Sequence, residues 1–364
     1  MKKGWKYTDF LEDAGDIEYA HLYCGKSLEE ACPEHLKEEF EKARKKIEAF
    51  MRSFSEVGLT LDDASIFDTA PEKFVNEFYQ VKNEISSHVL TNYEKPQNYD
   101  FLLDLTKMVE KIRNRSLCVQ KENLKQVLHN PKVRNFYKSI DKISNYVDYD
   151  IFKTKTGRLS TKKGSFPILN LNKDFRKMLE SSNGCYIELD FNAAELRTLL
   201  ALSNKKQPDE DLHEWNAKNV YRGLQSREEA KKRIFAWLYN PDSKDYVSNR
   251  AYNRNAVLKE YYDGEYVTNP FGRRIKADDY HALNYLIQSS SNDIFLRQAL
   301  KINKMLEDSK SHVAFLMHDS VVIDMDKDDR HLITELVDTF AETDFGKFLV
   351  NVKIGKNFGG MRAV

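Results

Sequence analysis

The segment Cys185-Tyr186-Ile187-Glu188-Leu189-Asp190-Phe191 has the composition of a largely buried β-strand and carries a carboxylate at its end. A helical pattern follows at once over residues 193–202. Two further apolar runs, residues 312–317 and 321–325, flank His318-Asp319-Ser320, so we predict a hairpin with an acid at its tip. If these strands pair in one sheet, Asp190 and Asp319 become neighbours although they lie far apart along the chain.

The first half of the chain has a different character. Residues 36–54 and 71–90 place apolar positions at helical spacing with few breakers, which predicts long helices. Near Tyr149 the pattern changes to a polar loop over residues 154–164, and the strand quoted above follows. Helices before, between and after a few strands predict a mixed α+β fold instead of a regular βαβ alternation.

Composition sets the broad class of protein. With 364 residues, of which 41% are hydrophobic and 31% charged, the chain suits two or three packed subdomains with a well-solvated surface. No apolar run approaches the roughly 18 residues that span a bilayer, and Met1-Lys2-Lys3-Gly4-Trp5 lacks the apolar stretch of a signal peptide. The four cysteines are scattered without a C-x-x-C pair. We therefore expect a cytoplasmic protein with no membrane partner, no disulfide framework and no zinc knuckle.

The net charge of zero conceals an uneven distribution of charged residues. Residues 1–100 carry 13 Lys+Arg against 21 Asp+Glu, residues 101–180 carry 18 against 8, and the remainder carries 26 against 28. The middle stretch therefore has a net charge of +10. Such a stretch can hold a partner that bears phosphates, although a basic run is also typical of a solvated face.

The two strand-end aspartates suit a site for divalent cations. Mg²⁺ prefers oxygen ligands and usually shares them with phosphate and water. In a two-metal site about 3.5–4 Å across, one ion activates an attacking oxygen and the other stabilises a leaving oxygen at phosphorus. Taken alone, two such aspartates are more often turn or helix-capping residues.

Segment 227–239 contains a stripe of four residues at a spacing of four: Arg227, Lys231, Phe235 and Tyr239. On a helix they share one gently drifting face, with two cations followed by two aromatic rings. The cations suit a triphosphate, and the rings suit a nucleobase with its sugar. An amphipathic helix with a solvated basic end is the commoner meaning of such a pattern.

Together these segments resemble the polymerase core of the family A DNA polymerases, a group that includes bacterial DNA polymerase I, several phage replicases and the mitochondrial replicase. The resemblance extends from about Tyr149 to the C-terminus, and its motifs occur in the family's order. Besides the stripe, the matching segments are Thr156-Gly157-Arg158-Leu159-Ser160, Asp190-Phe191-Asn192-Ala193-Ala194-Glu195-Leu196-Arg197, Phe271-Gly272-Arg273-Arg274, Asn284-x-x-x-Gln288-x-x-x-x-Asp293 and His318-Asp319-Ser320.

The resemblance implies a right-hand polymerase fold, with a palm built on an antiparallel sheet, helical fingers and a helical thumb. Residues 1–150 would form a helical N-terminal region with the thumb, residues 151–210 and 285–364 the palm, and residues 211–284 the fingers. The implied activity is template-directed addition of deoxynucleotides to a primer 3′-hydroxyl. The basic stretch would then lie where the duplex product passes.

The same resemblance implies roles for individual residues. Asp190 and Asp319 would hold two Mg²⁺ ions, which lower the pKa of the primer hydroxyl and neutralise charge on the transferring phosphoryl group. Glu195 would exclude a 2′-hydroxyl from the sugar pocket. The other residues expected to bind the incoming dNTP are His213, Arg227, Lys231, Phe235 and Tyr239. The residues expected to contact primer-template DNA are Arg158, Asn170, Arg273, Arg274, Asn284, Gln288 and His318.

The chain departs from the family pattern in several places. Ser320 replaces the usual glutamate of the last motif, so a third carboxylate is missing from that turn. Phe191 replaces a tyrosine, and Leu169 replaces a frequent glutamine. Asp16-Ile17-Glu18 mimics an exonuclease motif, but no apolar strand leads into it. We therefore expect a phage-like enzyme without a 3′–5′ exonuclease of its own. Proofreading would then be absent or supplied by a separate exonuclease, and a processivity factor is a further possible partner.

Rival functions remain open at this point. A single-subunit RNA polymerase has a related palm, and Glu195 argues against it. A catalytically inactive accessory subunit would keep the fold only to bind DNA or a partner, and the presence of both aspartates and the stripe argues against such decay. A metal-dependent phosphodiesterase with the same acids would leave the triphosphate-binding helix without a purpose.

Overall fold

The structure is a computed structural model that describes residues 19–57 and 70–364; segment 16–18 therefore lies outside the described residues. Its α-helices are Tyr19–Cys24, Leu28–Ala31, Lys37–Glu56, Glu72–Asn92, Tyr99–Arg113, Pro131–Ser139, Ala194–Leu202, Leu212–Trp215, Arg227–Tyr239, Tyr246–Tyr252, Arg254–Tyr261, Ala282–Met305 and Ile333–Ala341. Shorter 3₁₀ turns are Glu34–Leu36, Lys121–Val127, Ile140–Lys142, Ile168–Asn170, Lys173–Met178 and Lys327–Leu332, and Asn216–Val220 is a π-helical turn. Among the described helices, none combines the length and the apolar character that a membrane span requires.

The strands are, in chain order, β1 (Cys118–Val119), β2 (Tyr149–Asp150), β3 (Ser160–Thr161), β4 (Leu179–Glu180), β5 (Gly184–Phe191), β6 (Tyr266–Thr268), β7 (Arg274–Lys276), β8 (His312–Met317), β9 (Ser320–Asp326), β10 (Glu342–Thr343), β11 (Gly346–Lys347), β12 (Val350–Gly355) and β13 (Arg362–Ala363). Five of them form an antiparallel sheet in the order β13-β12-β5-β9-β8. The others form two-stranded ribbons. The mixed α+β class predicted from the sequence is confirmed.

The central strand β5 has apolar side chains on both of its faces. Tyr186 and Ile187 are each 1% exposed and Leu189 is 0% exposed, and β5 lies inside the sheet, paired with β12 along one edge and with β9 along the other. An interior strand that is buried on both faces reads as a nearly continuous apolar run, as this one does. The carboxylate of Asp190 is therefore placed at the end of a rigid element.

The predicted hairpin is formed by β8 and β9. Met317 pairs with Ser320, which leaves His318 and Asp319 as a two-residue turn. His318 has a φ of 54°, in the left-handed region that favours turns but strains a non-glycine residue. The neighbouring pairing of β5 with β9 sets Asp190 directly opposite Ser320, so the two aspartates lie side by side as the strand patterns predicted.

The chain divides into two compact units, Met1–Lys107 and Met108–Val364. In the first unit, helices Lys37–Glu56 and Glu72–Asn92 pack together, which confirms the helices predicted near these positions. Their contact includes the rings of Phe40 and Phe78, whose centroids are 6.4 Å apart. The unit therefore has an apolar core of its own.

A sharp corner joins β5 to the helix that follows it. Ala193 has a φ of 52°, a left-handed conformation that ends the strand and starts the helix. The guanidinium of Arg197, which is fully buried, donates to the carbonyls of Asn192 at 2.8 Å, Pro208 at 2.8 Å and Glu210 at 2.9 Å. Arg197 thereby ties the corner to the loop that leads into the next helices.

Helix Arg227–Tyr239 begins with a capping box, in which Ser226 accepts from the Glu229 N–H and the Glu229 side chain accepts from the Ser226 N–H. Ala230, Ile234, Trp237 and Leu238 are buried on one side of this helix. The stripe predicted from the sequence is consequently left on the other side. We call this element the basic helix.

Replacing Arg197 by methionine should lower the free energy of unfolding by about 2–4 kcal/mol, because three backbone carbonyls, one of them fully buried, lose a charged donor. Arg250→Met, at an exposed helix position, is the matched control and should change it little. Chemical denaturation followed by circular dichroism measures both variants. Equal stability of the two variants would contradict a structural role for Arg197.

Candidate active site

A cavity of about 290 Å³ is bounded by the end of β5, the hairpin turn and the basic helix. Seven residues predicted from the sequence line it: Asp190, Glu195, His213, Arg227, Lys231, Phe235 and Asp319. The remaining lining residues are Phe191, Asn192, Ala193, Ala194 and Asn351. The structure thus brings carboxylates of the sheet and cations of the basic helix to one place.

The two aspartates share a poorly solvated environment. Burial, together with the negative charge of Asp319, raises the pKa of the Asp190 carboxyl to about 7. Burial likewise raises the pKa of Asp319 above its ordinary value. Nδ2 of Asn351 donates to Oδ2 of Asp190 at 3.3 Å. Within residues 19–57 and 70–364, no lysine or arginine forms an ion pair with either aspartate, so their charge is largely uncompensated.

The two cations of the cavity differ in their partners. Arg227 donates to both carboxylate oxygens of Asp211, at 3.2 and 2.8 Å, and also to Glu228 at 2.6 Å. Burial by itself raises the pKa of Asp211. The hydrogen bonds from Arg227, a backbone N–H and Asn192 lower it by more, so the pKa of Asp211 is well below its usual range. Lys231 is exposed and forms no ion pair with any residue the structure describes. The bidentate contact with Asp211 fixes the position of the Arg227 guanidinium.

Beyond these cations the cavity is lined by the rings of Phe235 and His213, whereas Tyr239, the fourth residue of the stripe, lies outside the lining. The rings of Phe235 and Tyr239 stack at a centroid distance of 5.8 Å, and His213 lies 5.7 Å from Phe235. Burial lowers the pKa of His213 to about 4, so the imidazole is neutral at pH 7. Its Nδ1 is buried without a hydrogen-bond partner among the described residues. His213 therefore keeps unused hydrogen-bonding capacity beside the cavity.

Glu195 is held from two directions. Nη2 of Arg158 donates to Oε1 of Glu195 at 2.6 Å, and the hydroxyl of Tyr239 donates to Oε2. Burial and the Glu195 charge both raise the pKa of Tyr239, which therefore stays protonated. The Glu195 side chain is only 12% exposed. These contacts fix the carboxylate within the cavity lining.

A second cavity, of about 270 Å³, groups three of the residues predicted to contact DNA. Arg158, Asn170 and His318 line it together with Lys153, Leu159, Ser160, Thr161 and Leu169. Its lining is more basic than that of the first cavity because it includes no acidic side chain. His318 and Arg158 connect the two cavities, since His318 adjoins Asp319 in sequence and Arg158 binds Glu195.

The other four residues predicted to contact DNA line neither cavity. Arg273 donates to both oxygens of the buried Asp293, at 3.0 and 2.7 Å, and a Cβ on Gly157 would meet the Arg273 guanidinium at 2.6 Å. Nε2 of Gln288 donates to Oδ1 of Asn284 at 2.6 Å. Arg274 lies over the Tyr266 ring at 3.9 Å, with its side chain 61% exposed. Their contact with DNA stays a prediction.

Sequence reasoning missed two asparagines of the site. Asn351 reaches Asp190 from β12, and no motif surrounds it in the sequence. Asn192 is only 4% exposed and accepts from the Leu212 N–H at 2.9 Å while donating to Asp211 at 2.8 Å. Asn192 lies inside the matching segment 190–197, so a buried amide next to the corner could have been suspected. Asn351 gives no such local signal.

The chemistry of the donors fits a hard divalent cation. Two neighbouring carboxylates with little compensating charge offer the oxygen ligands that Mg²⁺ prefers. Among the residues the structure describes, there is no group of three or more His, Cys, Asp and Glu side chains suited to hold a metal. Mg²⁺ is commonly held by one or two carboxylates and completed by substrate phosphates and water, so Asp190 and Asp319 would be enough protein ligands for it.

No family model and no curated protein sequence matches this chain. Among solved structures, the chain is similar to the POL domain of Pol1 from M. smegmatis in complex with DNA primer-template and dNTP. The match has a TM-score of 0.61 and 12% sequence identity, and it covers 79% of this chain and 75% of that chain. At this identity the likeness concerns the fold. The chain has the α+β fold of a polymerase domain, as the sequence predicted.

The Asp190→Asn variant should be more stable than the wild-type chain at pH 8, when both are measured with a chelator present. The folded-state pKa of about 7 lies above the ordinary value of 3.8, so the charged carboxylate opposes folding as pH rises through this range. The gain should be about 2–4 kcal/mol at pH 8 and should vanish below about pH 3, where the carboxyl is protonated in the folded and the unfolded chain. Thermal unfolding across this pH range measures it. A gain that does not depend on pH would contradict the raised pKa.

Proposed function

We propose that the chain is a template-directed DNA polymerase that adds deoxynucleotides to a primer 3′-hydroxyl. The observation that carries the proposal is the shared cavity, where two uncompensated aspartates meet the cations of the basic helix. Phosphoryl transfer needs positive charge around the phosphates and a metal-binding site at the reacting atoms. The polymerase-domain fold supports the same function.

Asp190 and Asp319 would hold two Mg²⁺ ions. When bound there, these ions supply charge neutralisation at phosphorus and a lowered pKa for the attacking hydroxyl. Asn351 keeps Asp190 oriented through its hydrogen bond. The closeness of the two acids is unfavourable in the isolated chain, and a strained pair of this kind is typical of a functional site.

Arg227 and Lys231 would bind the triphosphate from the side of the basic helix. Lys231 has no competing partner among the described residues, whereas Arg227 has to exchange Asp211 for phosphate oxygens or to share its donors between them. The neutral His213 can donate a hydrogen bond without adding charge. Phe235 would stack on the incoming nucleotide, and Tyr239 would lie beside the templating base.

Glu195 would line the sugar pocket. Arg158 and Tyr239 hold its carboxylate, so the side chain cannot move aside easily when a sugar binds. A fixed side chain beneath the sugar leaves no room for a 2′-hydroxyl, which favours dNTPs over rNTPs. This is the feature that argues against an RNA polymerase.

Primer-template DNA would bind beside the dNTP. Arg158, Asn170 and His318 share the second cavity, which is close to the growing end because it adjoins Asp319. Asn284, Gln288, Arg273 and Arg274 stay candidates for minor-groove and backbone contacts. The net charge of +10 over residues 101–180 suits contact with the phosphate backbone.

Assignment to family A, with residues 211–284 as fingers and residues 1–150 as N-terminal region and thumb, belongs to the same proposal. It is supported by the order of the motifs and by the basic helix inside the expected fingers. The phage-like character rests on the motif resemblance. An inactive accessory subunit is the second candidate, but an uncompensated acid pair without catalytic use would only destabilise the chain.

Purified wild-type chain with Mg²⁺, dNTPs and primer-template should extend the primer, and Asp190→Ala and Asp319→Ala should each lower the rate at least about a thousandfold, because phosphoryl transfer loses its cation ligands. Asp308→Ala, an exposed aspartate away from both cavities, is the control and should keep the wild-type rate. Primer–template affinity, measured by fluorescence anisotropy, should change little in all three variants. Extension by either site variant at the control rate would reject the proposal.

Glu195→Ala should narrow the preference for dNTPs over rNTPs by about tenfold or more, because the space beneath the sugar opens. Single-nucleotide incorporation with dCTP and CTP opposite the same template base measures the ratio of the two kcat/KM values. Tyr239→Phe is a useful comparison, since it removes one hydrogen bond to Glu195 and keeps the ring. A ratio in Glu195→Ala equal to that of the wild type would contradict the role of Glu195.

A further inference from the structure

Ser320, where a carboxylate is missing from the last motif, stands next to a buried acid of the neighbouring strand. Residues that pair across strands share a face of the sheet, and so do residues two apart along one strand. Asp190 pairs with Ser320 on β9 and with Asn351 on β12. Glu188, two residues before Asp190, pairs with Lys353 on β12. The five side chains, including that of Asp190, therefore lie on one face of the sheet.

Side-chain contacts connect Glu188 with Lys353 and with Ser320. Nζ of Lys353 donates to Oε2 of Glu188 at 2.6 Å. The hydroxyl of Ser320 lies 3.4 Å from Oε1 of Glu188 and 3.0 Å from the carbonyl of Met317, so its single hydrogen can serve either acceptor. The carboxylate of Glu188 thus extends diagonally from its own position toward Ser320.

Burial makes this carboxylate unusual. Glu188 is 6% exposed and Ser320 is 3% exposed, whereas the Lys353 side chain keeps 40% of its surface exposed. A buried ion pair adds little stability on average, and an apolar pair of similar volume is often as stable or more stable. The other residues in the middle of β5 are apolar. Stability alone therefore gives no reason for a charge at this position beside the two aspartates.

The closeness of Glu188 and Asp190 favours a small side chain at position 320. A glutamate at 320 would direct a third carboxylate into the space next to Asp190 that the Glu188 side chain already approaches. Two like charges at hydrogen-bond range in a buried place are strongly unfavourable. A serine avoids this conflict and supplies a hydroxyl hydrogen to the region.

We propose that Glu188 is the third acidic group of the site, relocated from the hairpin to the central strand, and that Ser320 is small because Glu188 takes its place. Glu188 is a positioning residue: it keeps negative charge beside Asp190, two residues away on the same face of the sheet, and strengthens the attraction of the acid pair for divalent cations. Lys353 holds the Glu188 side chain in that orientation. The inference rests on the proposed function only in naming those cations as Mg²⁺.

Cation binding tests the role of Glu188 without any catalysis. Mn²⁺ is titrated into the full chain without DNA, and free Mn²⁺ is followed by electron paramagnetic resonance. Glu188→Gln keeps the shape of the side chain and should weaken Mn²⁺ binding about tenfold, the size expected when a supporting outer partner is lost. Glu335→Gln, an exposed acid of helix Ile333–Ala341 that lines neither cavity, is the control and should bind as the wild type does. Unchanged affinity in Glu188→Gln, with unfolding midpoints equal, would overturn the proposal.

The exchange of the two residues tests the relocation itself. Ser320→Glu alone should lower the primer-extension rate about tenfold or more, and adding Glu188→Ser should restore it to within about threefold of the wild type, because the two positions are coupled. Thermal unfolding identifies a variant that fails to fold. A Ser320→Glu variant as fast as the wild type, or a double variant no faster than Ser320→Glu, would overturn the proposal. If the wild-type chain extends no primer, the proposed function fails, and the Mn²⁺ titration still decides the role of Glu188.

Discussion

The antiparallel pairing of β5 with β9 is the interaction on which the whole site depends. It sets Asp190 opposite Ser320, and the two-residue turn that precedes Ser320 carries Asp319 to the same cavity. A register slip of one residue would turn every side chain of β5 to the other face of the sheet. The buried side chains of both strands oppose such a slip, so the apolar core of the sheet fixes the geometry of the acids.

Local strain and uncompensated charge accumulate at this same place. Ala193 follows β5, and His318 follows β8. Both residues have left-handed backbones, which are unfavourable for residues other than glycine. The acids themselves resist ionisation, since burial raises the pKa of Asp190 to about 7. On the other wall, Arg227 is engaged by Asp211. The left-handed backbones and the poorly solvated carboxylates oppose stability in the free chain, whereas the pair of Arg227 with Asp211 stabilises it. Under the proposed function, bound cations would offset the cost of the carboxylates, which accounts for their place in one cavity.

The sequence was sufficient where the signal is local. Strand composition around Asp190 and Asp319 predicted the hairpin and the neighbouring strands, and the spacing of four predicted that Arg227, Lys231 and Phe235 share a helix face. It was insufficient where partners meet across the sheet or between loops. The contacts of Asn351 with Asp190, of Asp211 with Arg227 and of Lys353 with Glu188 depend on strand order and register, which single-sequence patterns do not contain.

A crystal structure of the full chain with primer-template, a non-hydrolysable dNTP analogue and Mg²⁺ tests most directly whether the two aspartates and the basic helix form one active site. We expect Mg²⁺ between Asp190 and Asp319, and the triphosphate in contact with Lys231 and Arg227. A triphosphate bound elsewhere on the chain, or a metal bound without either aspartate, would contradict this assignment.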